Sequence, residues 1–423
     1  MKVLLVGGGG REHAIAMAVA RSPKCEKLYC APGNAGIAQI AECVNIGVMD
    51  FGKLVSFALE KSVDFVIVAP DDPLAAGLVD AFEAAGLKAF GPRKDAAILE
   101  GSKAFSKDLM KKYGIPTADY ENFDDADKAL KYLETASYPL VLKADGLALG
   151  KGVLICRDHE EAAAGVKQIM QERKFGSAGN RMVIESFMTG REVSVLTFTD
   201  GKTIRVMASA QDHKRAKDND EGLNTGGMGT FSPSPFYTDE IHEWCVEHIY
   251  QPTVDAMRSE GRIFKGVIFF GLMLTAEGPK VLEYNARFGD PEAQVVLPRM
   301  ENDLLEVMEA CVNGTLDRIE LSFRKEAAVC VVLASDGYPL SYEKGKVISG
   351  LENFEGKDDC FCFHAGTKLS DGEVLTNGGR VLGITALGSD LKEARKKAYE
   401  ATEWVKFENK YMRHDIGKAI DEA

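Results

Sequence analysis

Three short apolar runs, separated by helical stretches, constrain the N-terminal part of this chain most. Val3–Val6 (VLLV), Val63–Ala69 (VDFVIVA) and Leu87–Phe90 each fit a buried strand, and the segments 11–21 and 73–85 carry a helical pattern between them. Strands that alternate with helices pair in parallel, because a helical crossover returns the chain to the same end of the sheet. A parallel sheet with covering helices is therefore expected over residues 1–101. The chain has 423 residues, enough for further domains at roughly 100–200 residues each.

Beyond residue 101 the pattern changes. Lys103–Tyr113 reads as a helix stopped by Gly114-Ile115-Pro116, and strands are expected at 138–143, 152–156 and 182–187. Asp158 fits the cap of a helix over 158–173, with Glu161 three residues on. Asp200-Gly201 fits a hairpin turn between strands at 193–199 and 203–210. The segment 211–229 is polar and glycine-rich without apolar periodicity, and reads as a long functional loop. A helix over 238–258 and a strand pair within 265–285 follow. The last hundred residues hold strands at 328–334 and 380–387 and a helix at 391–405.

The formal net charge is -13, from 51 basic and 64 acidic residues. That balance lacks the basic footprint of most nucleic-acid binders, so no nucleic-acid partner is expected. A small phosphorylated substrate needs only a local positive patch. The nine cysteines include no CxxC pair, which fits a reducing, cytoplasmic compartment. The longest apolar stretch, Gly266–Ala276, falls far short of the ~20 residues a membrane helix needs. No membrane association is expected, and the oligomeric state stays open, a monomer being compatible with the sequence.

Two glycine clusters stand at strand ends. Gly7–Gly10 precedes a helix, where free backbone N–H groups can hold an anion. The dinucleotide fingerprint GxGxxG fails there, since Glu12 or His13 occupies the third glycine position. A phosphate or ribose site and a purely structural turn both remain open. The second cluster, Lys143–Gly152 (KADGLALGKG), lies between two strands. Its glycines would let the backbone approach a phosphate, with Lys143 and Lys151 neutralising it. It is not a Walker loop, because, counted from Gly146, Lys151 stands where the second glycine should be. A solvated hairpin is the competing reading.

Glu283 and Asn285 are two apart on an expected strand, so they share one face, with Leu282 and Tyr284 on the other. Hard oxygen donors of this kind suit Mg²⁺, which takes one or two protein groups plus substrate phosphates. Arg287 continues that face and could brace a transferring phosphoryl group. A polar edge strand would look the same. In the segment 211–229, Asp212, Lys214 and the glycines around Gly227 could clamp a zwitterion and a phosphate, or form a solvated loop. His213 has no metal-binding partner at suitable spacing and reads as a hydrogen-bonding residue.

Taken in order, GGGGREH (7–13), APGNAG (31–36), LEGSKAFSK (99–107), KADGLALGKGV (143–153), SAQDHKRAKD (209–218), NTGGMG (224–229), EYNARFGDPE (283–292), HAGT (364–367) and TNGGRVL (376–382) closely resemble the glycinamide ribonucleotide synthetase family of ATP-grasp ligases. The resemblance runs along essentially the whole chain. It implies an α/β architecture: a parallel-sheet N-terminal domain (1–101), an ATP-grasp domain (102–325) with a small mobile lid at about 120–188, and a C-terminal α/β domain (326–423).

The resemblance also implies roles. Lys103, Lys143 and the loop Gly146, Gly150, Lys151 and Gly152 would hold the ATP phosphates, Glu185 would meet adenine and Glu192 the ribose. Glu283 and Asn285 would ligate Mg²⁺, with Mn²⁺ compatible, and Arg287, Lys143 and Asp212 would be catalytic. Gly8, Gly9, Gly10, Gly33, Asn34, Asp212, Lys214, Gly227, Arg287 and Asp290 would contact the substrates glycine and 5-phosphoribosylamine. The implied reaction, a step of purine biosynthesis, activates glycine as an acyl phosphate before the amine attacks. Another ATP-grasp carboxylate–amine ligase is the alternative, followed by a non-catalytic nucleotide-binding module. The sequence departs from the family pattern at Asp71, where Glu is usual, and at Leu149, where Ala is usual.

Overall fold

The order of the first sheet follows from its hydrophobic faces. Strands β1 (Lys2–Gly7), β2 (Lys27–Pro32), β3 (Glu42–Cys43), β4 (Phe65–Val68) and β5 (Lys88–Phe90) run in the order β3-β2-β1-β4-β5, all parallel. Val3 and Leu5 join one core, Leu4 and Val6 another, so both faces of β1 are covered, as a parallel sheet requires. The covering helices are α1 (Gly10–Ala20), α2 (Phe51–Glu60), α3 (Asp71–Ala76) and α4 (Leu78–Ala84). The single helix expected over 73–85 is split by Gly77, whose φ of +98° ends α3. The computed structural model describes residues 1–147 and 152–422.

Helices α5 (Lys94–Gly101) and α6 (Lys103–Tyr113) lead into the second unit. Ser102 caps α6 by accepting from Phe105 N at 3.1 Å, and Gly114 at φ +69° stops it, as the Gly-Ile-Pro signal required. A small antiparallel sheet follows, built from β6 (Tyr120–Phe123), β7 (Leu140–Ala144), β8 (Val153–Cys156) and β9 (Met182–Ser186) in the order β6-β9-β7-β8. Helices α7 (Ala126–Leu133) and α8 (His159–Val166) cover it. Asp158 caps α8 by accepting from Glu161 N at 2.9 Å, and Glu161 in turn accepts from Arg157 N at 2.8 Å.

The central sheet is β10 (Arg191–Thr199), β11 (Ile204–Val206), β16 (Gly266–Thr275) and β17 (Gly278–Asn285), in the order β11-β10-β16-β17. Between them lie β12 (Gln211–Asp212), β13 (Arg215–Lys217), β14 (Glu221–Asn224) and β15 (Gly229–Ser232), then α9 (Asp239–Cys245) and α10 (Gln251–Ser259), joined by a wider helical turn over Val246–Tyr250. The segment 211–229, read as a long functional loop, instead holds the short strands β12, β13 and β14 and the start of β15. β13 pairs with β14, while β12 and β15 leave for the third sheet. β15 finds its partner β18 about a hundred residues away and carries β12 with it, so local periodicity does not reveal them.

Helices α11 (Ala293–Val296) and α12 (Leu304–Asn313) pack back onto β1 and α1 in one shared core. The third sheet contains β18 (Ala327–Ser335), β19 (Cys360–His364) and β22 (Arg380–Gly388), in the order β12-β15-β18-β22-β19. Strand β23 (Lys410–Tyr411) pairs with β18 in this sheet, the hairpin β20 (Thr367–Ser370) and β21 (Glu373–Thr376) stands as a separate two-stranded sheet, and helix α13 (Leu391–Thr402) packs on β18 and β22. Strands from 211–232, inside the expected ATP-grasp range, therefore belong to the sheet of the C-terminal unit. Among the described residues no helix is long and apolar enough to cross a membrane.

Candidate active site

Lys143 is the penultimate residue of β7 and Glu185 that of β9, on adjacent strands of the small sheet. Lys143 Nζ lies 2.5 Å from Glu185 Oε1 and donates to Leu282 O at 3.0 Å. Lys107 Nζ lies 2.6 Å from the other carboxylate oxygen and donates to Thr117 Oγ1 at 2.7 Å. All three side chains are buried. Burial works to raise the Glu185 carboxyl, but Lys143 and Lys107 outweigh it and hold the group below its ordinary range. Burial pushes the Lys107 ammonium down to about 8, against the attraction of Glu185.

Lys103, at the start of α6, donates to Gly146 O at 2.8 Å. Asp145 ties the same place together, accepting from Ser102 Oγ at 3.0 Å and from Ala104 N at 3.1 Å. The start of the glycine loop is thereby fastened to the N-terminus of α6, where a helix favours negative charge. Burial holds Lys103 below its ordinary value, with Glu283 opposing and Lys143 reinforcing. Two lysines thus share the Glu185 carboxylate and Lys103 stands near enough to Lys143 for their charges to repel, a cluster suited to a polyphosphate. Ala148, Leu149, Gly150 and Lys151 lie outside the described residues.

Opposite this patch, β17 carries Glu283 and Asn285. A bulge corrects the alternation expected from sequence: Gly271 pairs with Glu283 and Leu272 with Val281, leaving Leu282 extra. Val281 and Tyr284 therefore share the core, and Leu282 does not join Tyr284 there. The bulge frees the Leu282 carbonyl from the ladder, and Lys143 uses it. Glu283 and Asn285 stay on the face away from Tyr284. Gly271 leaves room for Glu283: a Cβ there would lie 3.1 Å from Glu283 Cγ.

Lys214 Nζ stands between Glu192 at 2.9 Å and Glu283 at 3.6 Å. Burial works against its charge, but Glu192, Glu283 and Asp212 hold it well above the usual lysine range. Glu283 in turn is kept below the usual carboxylate range, first by Lys214 and then by Lys143, Lys103 and Arg287. Asp212 behaves oppositely: burial raises its carboxyl, Lys214 opposes, and Glu292, Glu192 and Glu283 add to the rise. Ser194 Oγ donates to Glu292 Oε1 at 3.1 Å, on the same strand as Glu192. The Glu283 carboxylate and the neutral Asn285 amide oxygen, beside a crowd of carboxylates, fit a hard divalent cation, which Lys214 would have to accommodate. Among the described residues no group of three or more His, Cys, Asp or Glu could hold a metal by itself. A cation here would complete its shell with substrate oxygens and water.

The glycine turn before α1 sits at the other end of the cleft. A Cβ on Gly8 would lie 2.5 Å from Gly33 O, so only glycine allows these two turns to touch. Asn34 donates to Gly8 O at 2.9 Å and to His364 O at 2.8 Å, and accepts from Gly36 N at 3.0 Å. Its side chain is committed to fastening this turn to the C-terminal unit. Gly9 N donates to Glu12 Oε2 at 2.6 Å. The Asp290 carboxylate lies over the turn, 3.5 Å from where a Cβ on Gly9 or Gly10 would be. Burial works to raise Asp290, but Arg380, Arg11, the Gln294 amide and Arg287 hold it below the usual range.

Arg287 pairs with Glu100 at 3.1 Å and donates to Phe288 O at 3.1 Å, while its buried Nε finds no hydrogen-bond partner among the described residues. A buried donor without an acceptor is costly, so an anionic acceptor at this point would be stabilised. His213 donates its backbone N–H to Gly229 O at 2.9 Å, and its ring Nε2 accepts from Gly417 N at 3.1 Å. That is the hydrogen-bonding role the sequence suggested. Lys107, Glu100, Arg11, Glu292 and Arg380 were given no role from sequence. All five lie in or beside the quoted motifs, the only signal available for them.

Three regions match models of one family: 1–100 the phosphoribosylglycinamide synthetase N domain, 101–293 its ATP-grasp (A) domain and 328–419 its C domain. The phosphoribosylamine–glycine ligase of Caldanaerobacter subterraneus subsp. tengcongensis is 50% identical over 416 residues, 98% of this chain and 99% of that one. The Halalkalibacterium halodurans enzyme of the same name is 49% identical, covering 100% of this chain and 98% of its own. The crystal structure of phosphoribosylamine–glycine ligase from Thermotoga maritima superposes with a TM-score of 0.86 at 35% identity, over 99% of this chain and 100% of that one. A biotin carboxylase domain from Hydrogenobacter thermophilus, 18% identical, shares the fold at a TM-score of 0.76, over 97% of this chain and 91% of its own.

Proposed function

This chain belongs to the phosphoribosylglycinamide synthetase family, and from that membership we propose what each part of its cleft does in an ATP-dependent ligation. The reaction joins glycine to 5-phosphoribosylamine and forms a C–N bond. The observation that carries the reading is the meeting of Lys143 with the Leu282 carbonyl, next to Glu283. It brings the phosphate-binding lysines of the small sheet against the oxygen donors of the central sheet.

A glycine carboxylate oxygen attacks the γ-phosphorus of ATP, the bond to the bridging oxygen breaks, and ADP leaves. The amine of 5-phosphoribosylamine then attacks the glycyl carbonyl, the carbon–oxygen bond to phosphate breaks, and inorganic phosphate and a proton depart. No protein nucleophile is required, so catalysis rests on positioning and charge neutralisation. Lys103, Lys143 and the loop through Gly146, Gly150, Lys151 and Gly152 hold the phosphates, with Glu185 toward the adenine and Glu192 toward the ribose. Mg²⁺, or Mn²⁺ in its place, held by Glu283 and Asn285, supplies neutralisation of the phosphate oxygens. Arg287, whose Nε finds no partner among the described residues, faces the charge that develops as the phosphoryl group moves.

Gly8, Gly9, Gly10 and Gly33 form the wall for 5-phosphoribosylamine, with Asn34 bracing it. Asp212, Lys214, Gly227 and Asp290 complete the substrate side, and Asp212 handles the amine proton. The division of labour runs from an N-terminal domain (1–101) through an ATP-grasp domain (102–325) to a C-terminal domain (326–423). The segment at about 120–188 closes as a lid to keep water from the acyl phosphate. Every group named lies on one chain, so a monomer suffices, and the chain works in the cytoplasm. A panel of alternative acids and amines tests the reading. Turnover should require glycine and 5-phosphoribosylamine, and equal turnover with another acid or amine would point to a different carboxylate–amine ligase.

A further inference from the structure

Arg380 opens β22 in the C-terminal sheet, yet its guanidinium reaches into the cleft. Its NH1 donates to Gly226 O at 2.8 Å, Gly227 O at 3.3 Å and Asp290 O at 2.8 Å. Its NH2 lies 3.2 Å from Asp290 Oδ2. Gln294 Nε2 donates to the other oxygen, Asp290 Oδ1, at 2.7 Å. Both oxygens of one carboxylate are thus fixed, one from α11 and one from the C-terminal sheet. Together they aim it at the Gly9–Gly10 turn, 3.5 Å from where a Cβ on either residue would be. The packing is close on the loop side too: a Cβ on Gly226 would lie 2.9 Å from Arg380 Cζ. Tyr338, also in the C-terminal unit, accepts from Gly226 N at 3.1 Å.

A tie between units would need only the three carbonyl contacts. The fourth contact orients a carboxylate, and an ionised carboxylate can only accept hydrogen bonds. Beside a sugar phosphate it would repel the phosphate and address the hydroxyl or amino hydrogens instead. We propose that Arg380 is a positioning residue for the acceptor substrate, holding Asp290 and the Gly226–Gly227 loop so that Asp290 reads the hydroxyl or amino hydrogens of the phosphorylated aminosugar. The C-terminal sheet thereby completes the acceptor half of the site. This rests on the reading of Asp290 as a substrate-side residue.

The test uses the full-length enzyme and separate KM values for 5-phosphoribosylamine, ATP and glycine, measured in Arg380→Gln, Asp290→Asn and the double variant. Each single change should raise the 5-phosphoribosylamine KM by about tenfold, with the other two KM values within about twofold. The double variant should be no worse than the poorer single one, because both act through one carboxylate. If Arg380→Gln does not yield folded protein, Arg380→Lys, which keeps the charge but lacks the planar fork, should show the same selective rise. A 5-phosphoribosylamine KM unchanged in the Arg380 variants but raised in Asp290→Asn overturns the role of Arg380. An unchanged KM in Asp290→Asn overturns the substrate-side reading itself. A fall in kcat with every KM unchanged marks Arg380 as a structural tie and also overturns the proposal.

Discussion

Lys143 and Glu185 face each other at 2.5 Å on paired strands of the small sheet, shielded from solvent, and Lys107 holds the other side of the same carboxylate at 2.6 Å. The lysine that would grip a phosphate is thus held by a carboxylate that a second lysine also neutralises. Sharing weakens the claim of Glu185 on Lys143, which leaves Lys143 charge to offer an anion.

Removing Lys107 should therefore tighten the Lys143–Glu185 pair at the expense of nucleotide binding. We predict that Lys107→Met raises the ATP KM by about tenfold, an effect of about 1.4 kcal/mol, with the glycine KM little changed. Glu185 keeps one partner in this variant, so the fold should persist. Steady-state kinetics with each substrate varied in turn checks this, and parallel rises in all KM values would contradict it.

Glu283→Ala should abolish turnover while leaving the fold intact. Its side chain is about one-third exposed and its ion pair with Lys214 is long, at 3.6 Å, so its loss should cost no more than about 1 kcal/mol of stability. Losing a metal-ligating oxygen should cost on the order of a thousandfold in kcat. Rate and urea midpoint measured on one preparation separate the two effects. Full activity would show that the metal assignment is wrong.

The seam between the N- and C-terminal units should weaken in acid. His364 N donates to His13 Nδ1 at 2.8 Å, and both rings are buried. Burial, and for His13 also its neighbour His364, lowers their values from 6.5 to about 3 for His13 and about 4 for His364. Below pH 6.5 the unfolded chain binds protons that the folded rings refuse, so stability is lost as pH falls toward 4. The loss at pH 5 should be about 2 kcal/mol per ring. His364→Gln should lose correspondingly less stability between pH 7.5 and pH 5, read from urea midpoints. An identical pH dependence in the variant would contradict the assignment.

Gly8→Ala should damage the acceptor side selectively. The added methyl would meet the Gly33 carbonyl at 2.5 Å, backbone against backbone, so one of the two turns must move. A loss of about 1–3 kcal/mol in stability is expected from such overpacking, together with a raised 5-phosphoribosylamine KM. An unchanged KM would remove this turn from the substrate site.

Much of this architecture was legible because its signals are local. The runs VLLV and VDFVIVA form β1 and β4, and Asp158 caps the helix that follows it. Glu283 and Asn285 could be placed on one face because strand periodicity is two. The bulge at Leu282 could not, since an extra residue shows only against the partner strand. The short strand β15 was hidden for the same reason, its partner β18 being remote. The contacts of Glu185 with Lys107 and of Asp290 with Arg380 join residues 78 and 90 apart in sequence, and no pattern along the chain encodes such meetings.

The central claim is that ATP cleavage here serves the joining of glycine to 5-phosphoribosylamine. ADP release by the purified protein, with Mg²⁺ present and each substrate omitted in turn, tests it most directly. The account predicts sustained ADP release only when glycine and 5-phosphoribosylamine are both supplied. Sustained release that is indifferent to either one would contradict it.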